Sequence, residues 1–273
     1  MSRLQRLARA ASRTRLHVVA MTSVVLAILA PTAWAQELLL EPVADATLYS
    51  EDGDGANGAG EGLFAGRTAL GERRRALLRF DLSSLPAGAS LQAAELTLTM
   101  DRSITGTVPV RVHRALASWG EGSAHAPGEE GAPAPAGTGD ATWQWRFHAT
   151  DAWATPGGDM AAGPSASADI DGTGPYVFTG PGLLADIEAW RSDPAGNHGW
   201  FLVADETLAP PSAKRFASRQ HADPALRPLL RVAYSVAAPP APGARQVPAA
   251  GWIALLLLLV LVVAAPLRHR SRP

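Results

Sequence analysis

Cysteine is absent from this 273-residue chain, and lysine occurs once, at Lys214. Without cysteine there is no thiol nucleophile, no thiolate-bound zinc, no lipid-modified cysteine and no disulfide, so a domain of this chain must be held together by its core alone. Catalytic signatures are missing as well: there is no G-x-S-x-G elbow, no H-E-x-x-H pair and no phosphate-cradling glycine loop. His113, His125, His148, His198 and His221 are scattered without metal-ligand spacing. The sequence therefore reads as non-enzymatic. Carboxylates are plentiful, though, and a glycosidase pair is recognised by a separation in space that sequence does not reveal.

What is present is unevenly distributed. Residues 1–35 have the form of a secretory signal peptide: Arg3, Arg6, Arg9, Arg13 and Arg15 precede an apolar core, Val18 to Ala30, and Ala33-Trp34-Ala35 sets the expected cleavage between Ala35 and Gln36. At the other end, residues 247–267 contain no charged residue and are followed by an arginine-rich tail, 268–273. As a helix those 21 residues would span ~31 Å, the thickness of a bilayer's hydrocarbon core. The arginines belong on the cytoplasmic side, so the expected arrangement is an exported domain with one C-terminal transmembrane helix.

Between these ends lies a domain expected over residues 36–236, followed by a proline-rich linker, 237–246. Residues 36–246 hold all 25 acidic residues against 16 basic ones, a formal charge of about −9. That excess argues against nucleic acid and anionic lipid as partners. The domain shows short strand-like runs separated by Gly and Pro. Leu96, Leu98 and Met100 alternate onto one face, as do Val108, Val110 and Val112. Such a pattern predicts an all-β fold, an antiparallel β-sandwich of jelly-roll type. One short helix is expected where Leu183, Ile187 and Trp190 recur at helical spacing before Asp193-Pro194. Two insertions rich in Gly, Ala and Pro, 120–140 and 156–174, read as irregular, and the first as mobile.

Several blocks follow in order: Ala44-Asp45-Ala46, Ala76-Leu77-Leu78-Arg79-Phe80-Asp81-Leu82, Trp119-Gly120-Glu121-Gly122, Asp140-Ala141-Thr142-Trp143, Asn197-His198-Gly199-Trp200 and Lys214-Arg215-Phe216-Ala217-Ser218-Arg219. Together they resemble the DNRLRE domain family, which is related to disaggregatase repeats and to a carbohydrate-binding module. The resemblance spans about residues 41–234. It implies a jelly-roll sandwich and an extracellular polysaccharide ligand. The tail, with Val247-Pro248, Trp252, an apolar span and arginines, is similar to PEP-CTERM and IPTL-type sorting signals. That similarity implies a Gram-negative bacterium, export across its inner membrane, and removal of the tail by a sorting protease. A permanent stop-transfer anchor is the alternative.

Three groups of residues are candidates for ligand chemistry. Asp52, Asp54 and Asn57, in a glycine-rich acidic run, supply oxygens of the kind Ca²⁺ takes, or else form a polar turn. Trp143 and Trp145 would alternate on one strand face, and Trp153 lies beside a long loop; as exposed indoles they would stack against sugar rings, and as buried ones they would fill the core. Arg215 and Arg219, with Lys214 and Arg227 nearby, could meet an acidic glycan or pair with local carboxylates. The functional expectation is a surface module that binds polysaccharide or serves structurally. Polysaccharide cleavage on the same fold and a ligand-free scaffold are the alternatives.

Overall fold

The structure is a computed structural model, and it describes residues 34–51, 53–207 and 211–237. The signal peptide up to residue 33, Asp52, most of the linker, the apolar span 247–267 and the arginine tail lie outside the described residues. Among the described residues no helix is long and apolar enough to cross a membrane.

The fold is antiparallel β, built as two sheets facing across one core. In the first, β1 (Trp34–Leu40) lies on the edge beside β15 (Leu229–Val236), which pairs with the long central β6 (Ser90–Ser103). β12 (Gly174–Thr179) and β14 (Lys214–Ala217) also pair with β6, and β14 in turn with β4 (Gly62–Arg67). In the second sheet, β2 (Pro42–Tyr49), β5 (Arg73–Phe80), β13 (Trp200–Ala204), β7 (Val108–Arg114) and β11 (Ala166–Ile170) lie side by side. Short β3 (Gly55–Asn57) and β8 (Ala134–Pro135) extend it beyond β2. β4 joins the two sheets: Gly62 to Ala65 pair with β14, while Gly66 and Arg67 pair with β5. The corner is at Gly66, whose φ is 117°; a Cβ there would lie 2.6 Å from the Ser212 carbonyl oxygen, so only glycine fits.

The alternation read from sequence points inward as expected. Leu96, Leu98, Met100, Val108, Val110 and Val112 are all buried in the core, with Phe80, Phe178, Trp200 and Phe216. α1 (Pro181–Ser192) connects β12 to β13 and turns Leu183, Ile187 and Trp190 onto the same core. Proline occupies its first turn, where a missing N–H costs nothing; Pro194 follows its end and disfavours helical geometry at Asp193, which sits at φ −135° and ψ 86°.

The domain starts earlier than the sequence expectation. The Ala35–Gln36 junction lies inside β1, with Ala35 opposite Ser235 and Gln36 opposite Tyr234. The insertion 120–140, expected to be mobile, is instead folded against the outside of the second sheet. It buries Ala126, Glu130 and Asp140 and contributes β8. Strands β5 and β13 are consequently buried on both faces: Leu78 and Trp200 point to the main core, Leu77 and Phe201 to a second, smaller one.

Candidate functional site

The second core decides the fate of the tryptophan candidates. Trp119, Trp143 and Trp153 lie in it with Ala44, Ala46, Leu48, Leu77 and Phe201. Trp153 Nε1 donates to the Thr142 carbonyl at 2.9 Å, and its ring packs 5.7 Å from that of Phe201. The Arg75 guanidinium covers Trp143 at 4.7 Å while donating to both oxygens of Glu206, at 2.7 and 2.8 Å. The expected sugar platform of Trp143 and Trp145 on one strand therefore does not exist. Only Trp145–Phe147 forms a strand (β9), paired with Asp151–Ala152 (β10), and Trp143 is turned under it. Trp153 is likewise interior. Large indoles gain most by burial, and the outer face of a sheet covered by an insertion offers them a place. Trp145 is the one tryptophan with a described side chain that is not buried.

The basic candidates are held internally as well. Arg215 donates to Asp101 Oδ2 at 2.6 Å and lies 3.9 Å from Glu130 Oε2. Arg219 is paired with Glu121 at 2.6 Å. Lys214 is fully buried, its Nζ donating to Ser103 Oγ and to the carbonyls of Thr105 and Gly106 at 2.8, 3.0 and 2.6 Å. Burial pushes its pKa down. None of the three is an open anion contact: Arg215 and Arg219 are paired with carboxylates, and the Lys214 ammonium is satisfied by Ser103 and two carbonyls.

These pairs sit where the sequence blocks converge. Glu121 accepts from Asp45 N at 3.0 Å and from Arg219, and Asp45 Oδ2 accepts from Arg219 N at 2.7 Å. Burial, reinforced by the Glu121 charge, raises Asp45 to about 7 against the opposing effect of Arg219. Glu130 accepts from the Glu61 and Gly62 amides at 2.8 and 2.7 Å. Carboxylates thus fasten the insertion to strands β2 and β4 and to the segment after β14. Their partners lie 68 to 98 positions away, and spacing along the chain carries no trace of them.

Three open hollows lie among the described residues: one of about 500 Å³ beside the end of α1, lined by residues such as Ser83, Arg191 and Asn197, one of about 260 Å³ at Arg114 and His198, and a groove of about 380 Å³ lined by Glu51, Asp54, Gly55, the segment 133–136 and His148. Its walls follow from the short β3–β8 pairing, in which Gly55 lies opposite Pro135, and from Ala136 N donating to the Asp54 carbonyl at 3.1 Å. Trp145 Nε1 donates to Asp54 Oδ1 at 3.2 Å, and the His148 ring meets the indole edge-on, 6.3 Å between centroids. Glu51 is engaged by both terminal nitrogens of buried Arg74, and the exposed Asp54 carboxylate lies 3.7 Å from His148 Nε2. Strand β2 runs from Pro42 beside Phe80 to Tyr49 beside Arg74. The groove lies past its far end, at the opposite end of the sandwich from the neighbouring Trp34 and Val236.

Of the calcium candidates, Asn57 is turned inside: its amide nitrogen donates to Gly62 O and Glu130 Oε2, and its oxygen accepts from Ala126 N at 3.0 Å. Asp52 lies outside the described residues, which leaves Asp54 alone. Among the described residues no group of three or more His, Asp or Glu is placed to hold a metal ion. Asp54 and Trp145, which sequence reasoning assigned to different ligands, are brought together, and His148, which it passed over, completes them. Compared with protein-family models the chain matches none, and no curated protein matches it.

Proposed function

We propose that this chain is an exported, non-enzymatic surface module of the DNRLRE type, with a jelly-roll sandwich that binds extracellular polysaccharide at the groove lined by Asp54 and His148, with Trp145 beside it. The observation that carries the reading is Trp145, the one tryptophan with a described side chain left partly open while five others are buried, beside a groove of small-molecule size. An indole face offers an apolar surface to the C–H side of a sugar ring, and polar groups around it orient the hydroxyls. Cleavage is the weaker reading, because hydrolysis needs two available carboxyl groups and Glu51 is held by Arg74.

In this reading, residues 1–35 direct export across the inner membrane of a Gram-negative bacterium. Residues 247–267 anchor the domain in the membrane or serve as a sorting tail that a protease removes. An intact mass that includes residues 268–273 removes the processing alternative. The test of function is a glycan-binding screen of the full chain and of Trp145→Ala, with and without Ca²⁺, alongside an assay for new reducing or unsaturated ends. Polysaccharide binding lost in Trp145→Ala supports the proposal. New ends would establish cleavage, and no binding together with no new ends would leave a ligand-free scaffold.

A further inference from the structure

We infer that Asp45, Glu121 and Arg219 form a pH-operated catch, which holds the start of the insertion, residues 120–126, on the sandwich in acid and releases it locally as Asp45 ionises. The three groups come from three elements. Asp45 lies on β2 and is almost wholly buried, Glu121 is the second residue of the insertion, and Arg219 follows β14. Glu121 Oε1 accepts from the Asp45 amide at 3.0 Å, from Arg219 Nε at 2.6 Å and from Gln220 Nε2 at 3.2 Å, and its Oε2 accepts from Arg219 Nη2 at 3.2 Å. Asp45 Oδ2 accepts from the Arg219 amide at 2.7 Å. The partner of Asp45 on β5, Leu78, is apolar, so Glu121 and Arg219 are the charged groups that face it.

While Asp45 holds a proton, the charges of Glu121 and Arg219 cancel. Once ionised, Asp45 is a second carboxylate beside one guanidinium whose donors Glu121 already takes. Burial, aided by the Glu121 charge and opposed by Arg219, keeps Asp45 protonated up to about 7. Relief requires only that Glu121 lift away and water reach Asp45. Few other contacts hold this stretch: the Gly58 and Ala59 amides donate to the Ala124 carbonyl at 2.9 and 3.0 Å, and the Ala126 amide donates to Asn57 Oδ1 at 3.0 Å. The next tether, Glu130, has its own amide donors in Glu61 and Gly62. So small a set of contacts opens below the free energy of global unfolding. The sign follows from the proton. Closed, Asp45 titrates near 7, and opened to water it returns to its ordinary 3.8. Opening therefore becomes easier as pH rises through that interval, by about tenfold per unit, and is constant above it. Release also frees the Arg219 guanidinium.

The test is hydrogen exchange of the full chain from pH 4.5 to 8, corrected for intrinsic rates and read by mass spectrometry on peptides from 120–126 and from β6. The insertion should be at least roughly tenfold less protected than β6 at every pH, because it opens without the rest of the domain. Its protection should fall by about a hundredfold from pH 5 to 7 and stay level above 7. In Asp45→Asn that fall should vanish. Insertion peptides as well protected as β6 would show that they open only with the whole domain, which overturns the inference. Protection of the insertion that does not change with pH overturns it as well. Both outcomes are read on the unsubstituted chain, so they decide even where Asp45→Asn does not fold. A fall retained in Asp45→Asn would assign the response to another group, such as His125 beside Glu130, and would also overturn it.

Discussion

Asp45 should make this domain more stable in mild acid than at neutral pH, against the usual behaviour of carboxylates. Its side chain is almost wholly buried, its Oδ2 accepts from the Arg219 amide, and the Glu121 carboxylate shares the same cluster. Burial, as the largest cause, raises it from 3.8 to about 7. The sign follows from proton counting. Above pH 7 Asp45 is ionised in both folded and unfolded chains, and its contribution is constant. Between about 7 and 3.8 the folded chain holds a proton that the unfolded chain lacks, so stability rises as pH falls, by ~1.4 kcal/mol per unit for one proton. Below 3.8 the two states are again equal. Over the whole window the contribution is of order 4 kcal/mol. Asp45→Asn keeps an acceptor for the Arg219 amide and removes the proton equilibrium. The assay is urea unfolding of the full chain, followed by tryptophan fluorescence, at half-unit steps from pH 4 to 8. Wild-type stability should climb toward pH 4 by several kcal/mol more than that of the variant, with the curves closest in acid. Curves that stay parallel across the range would refute the reasoning.

Two more substitutions test how the molecule is held together. Phe201→Ala removes a fully buried ring from the second core, where it packs on Trp153, and should cost ~3–5 kcal/mol in urea unfolding while leaving the strand content by circular dichroism unchanged. Lys214→Met keeps the bulk of the chain's single lysine but strips the donors from Ser103 and from the Thr105 and Gly106 carbonyls; a loss of ~1–3 kcal/mol in the unfolding midpoint is expected, each orphaned acceptor adding its own penalty.

Local chemistry in the sequence determined the sandwich. The period-2 alternation of Leu96 to Met100 and Val108 to Val112 and the Gly/Pro punctuation are short-range signals, and each points to an element that is present. Pro181 and Pro194 bracket the helix for equally local reasons, one filling a place that needs no N–H and the other forbidding the next turn. Edge strand β1 carries no alternation, because Leu38, Leu39 and Leu40 form a continuous run, and its pairing with β15 arises only when the two ends of the domain meet.

Which of the candidate side chains stay open was decided by tertiary structure alone. Composition marks the insertion 120–140 as flexible, yet Glu121 and Glu130 tie it to the sandwich through partners that no spacing rule connects, and Asp140 braces it internally by accepting from the Ser123 amide. Once it lies on the second sheet, Trp143 and Trp153 have an apolar surface to cover and become interior, and Arg215 and Arg219 find carboxylates to neutralise them. The same packing leaves Trp145 partly open and carries it across 91 positions to Asp54. Residue type thus determined which side chains were capable of binding. Burial and pairing, which depend on contacts between distant segments, determined which of them stayed available.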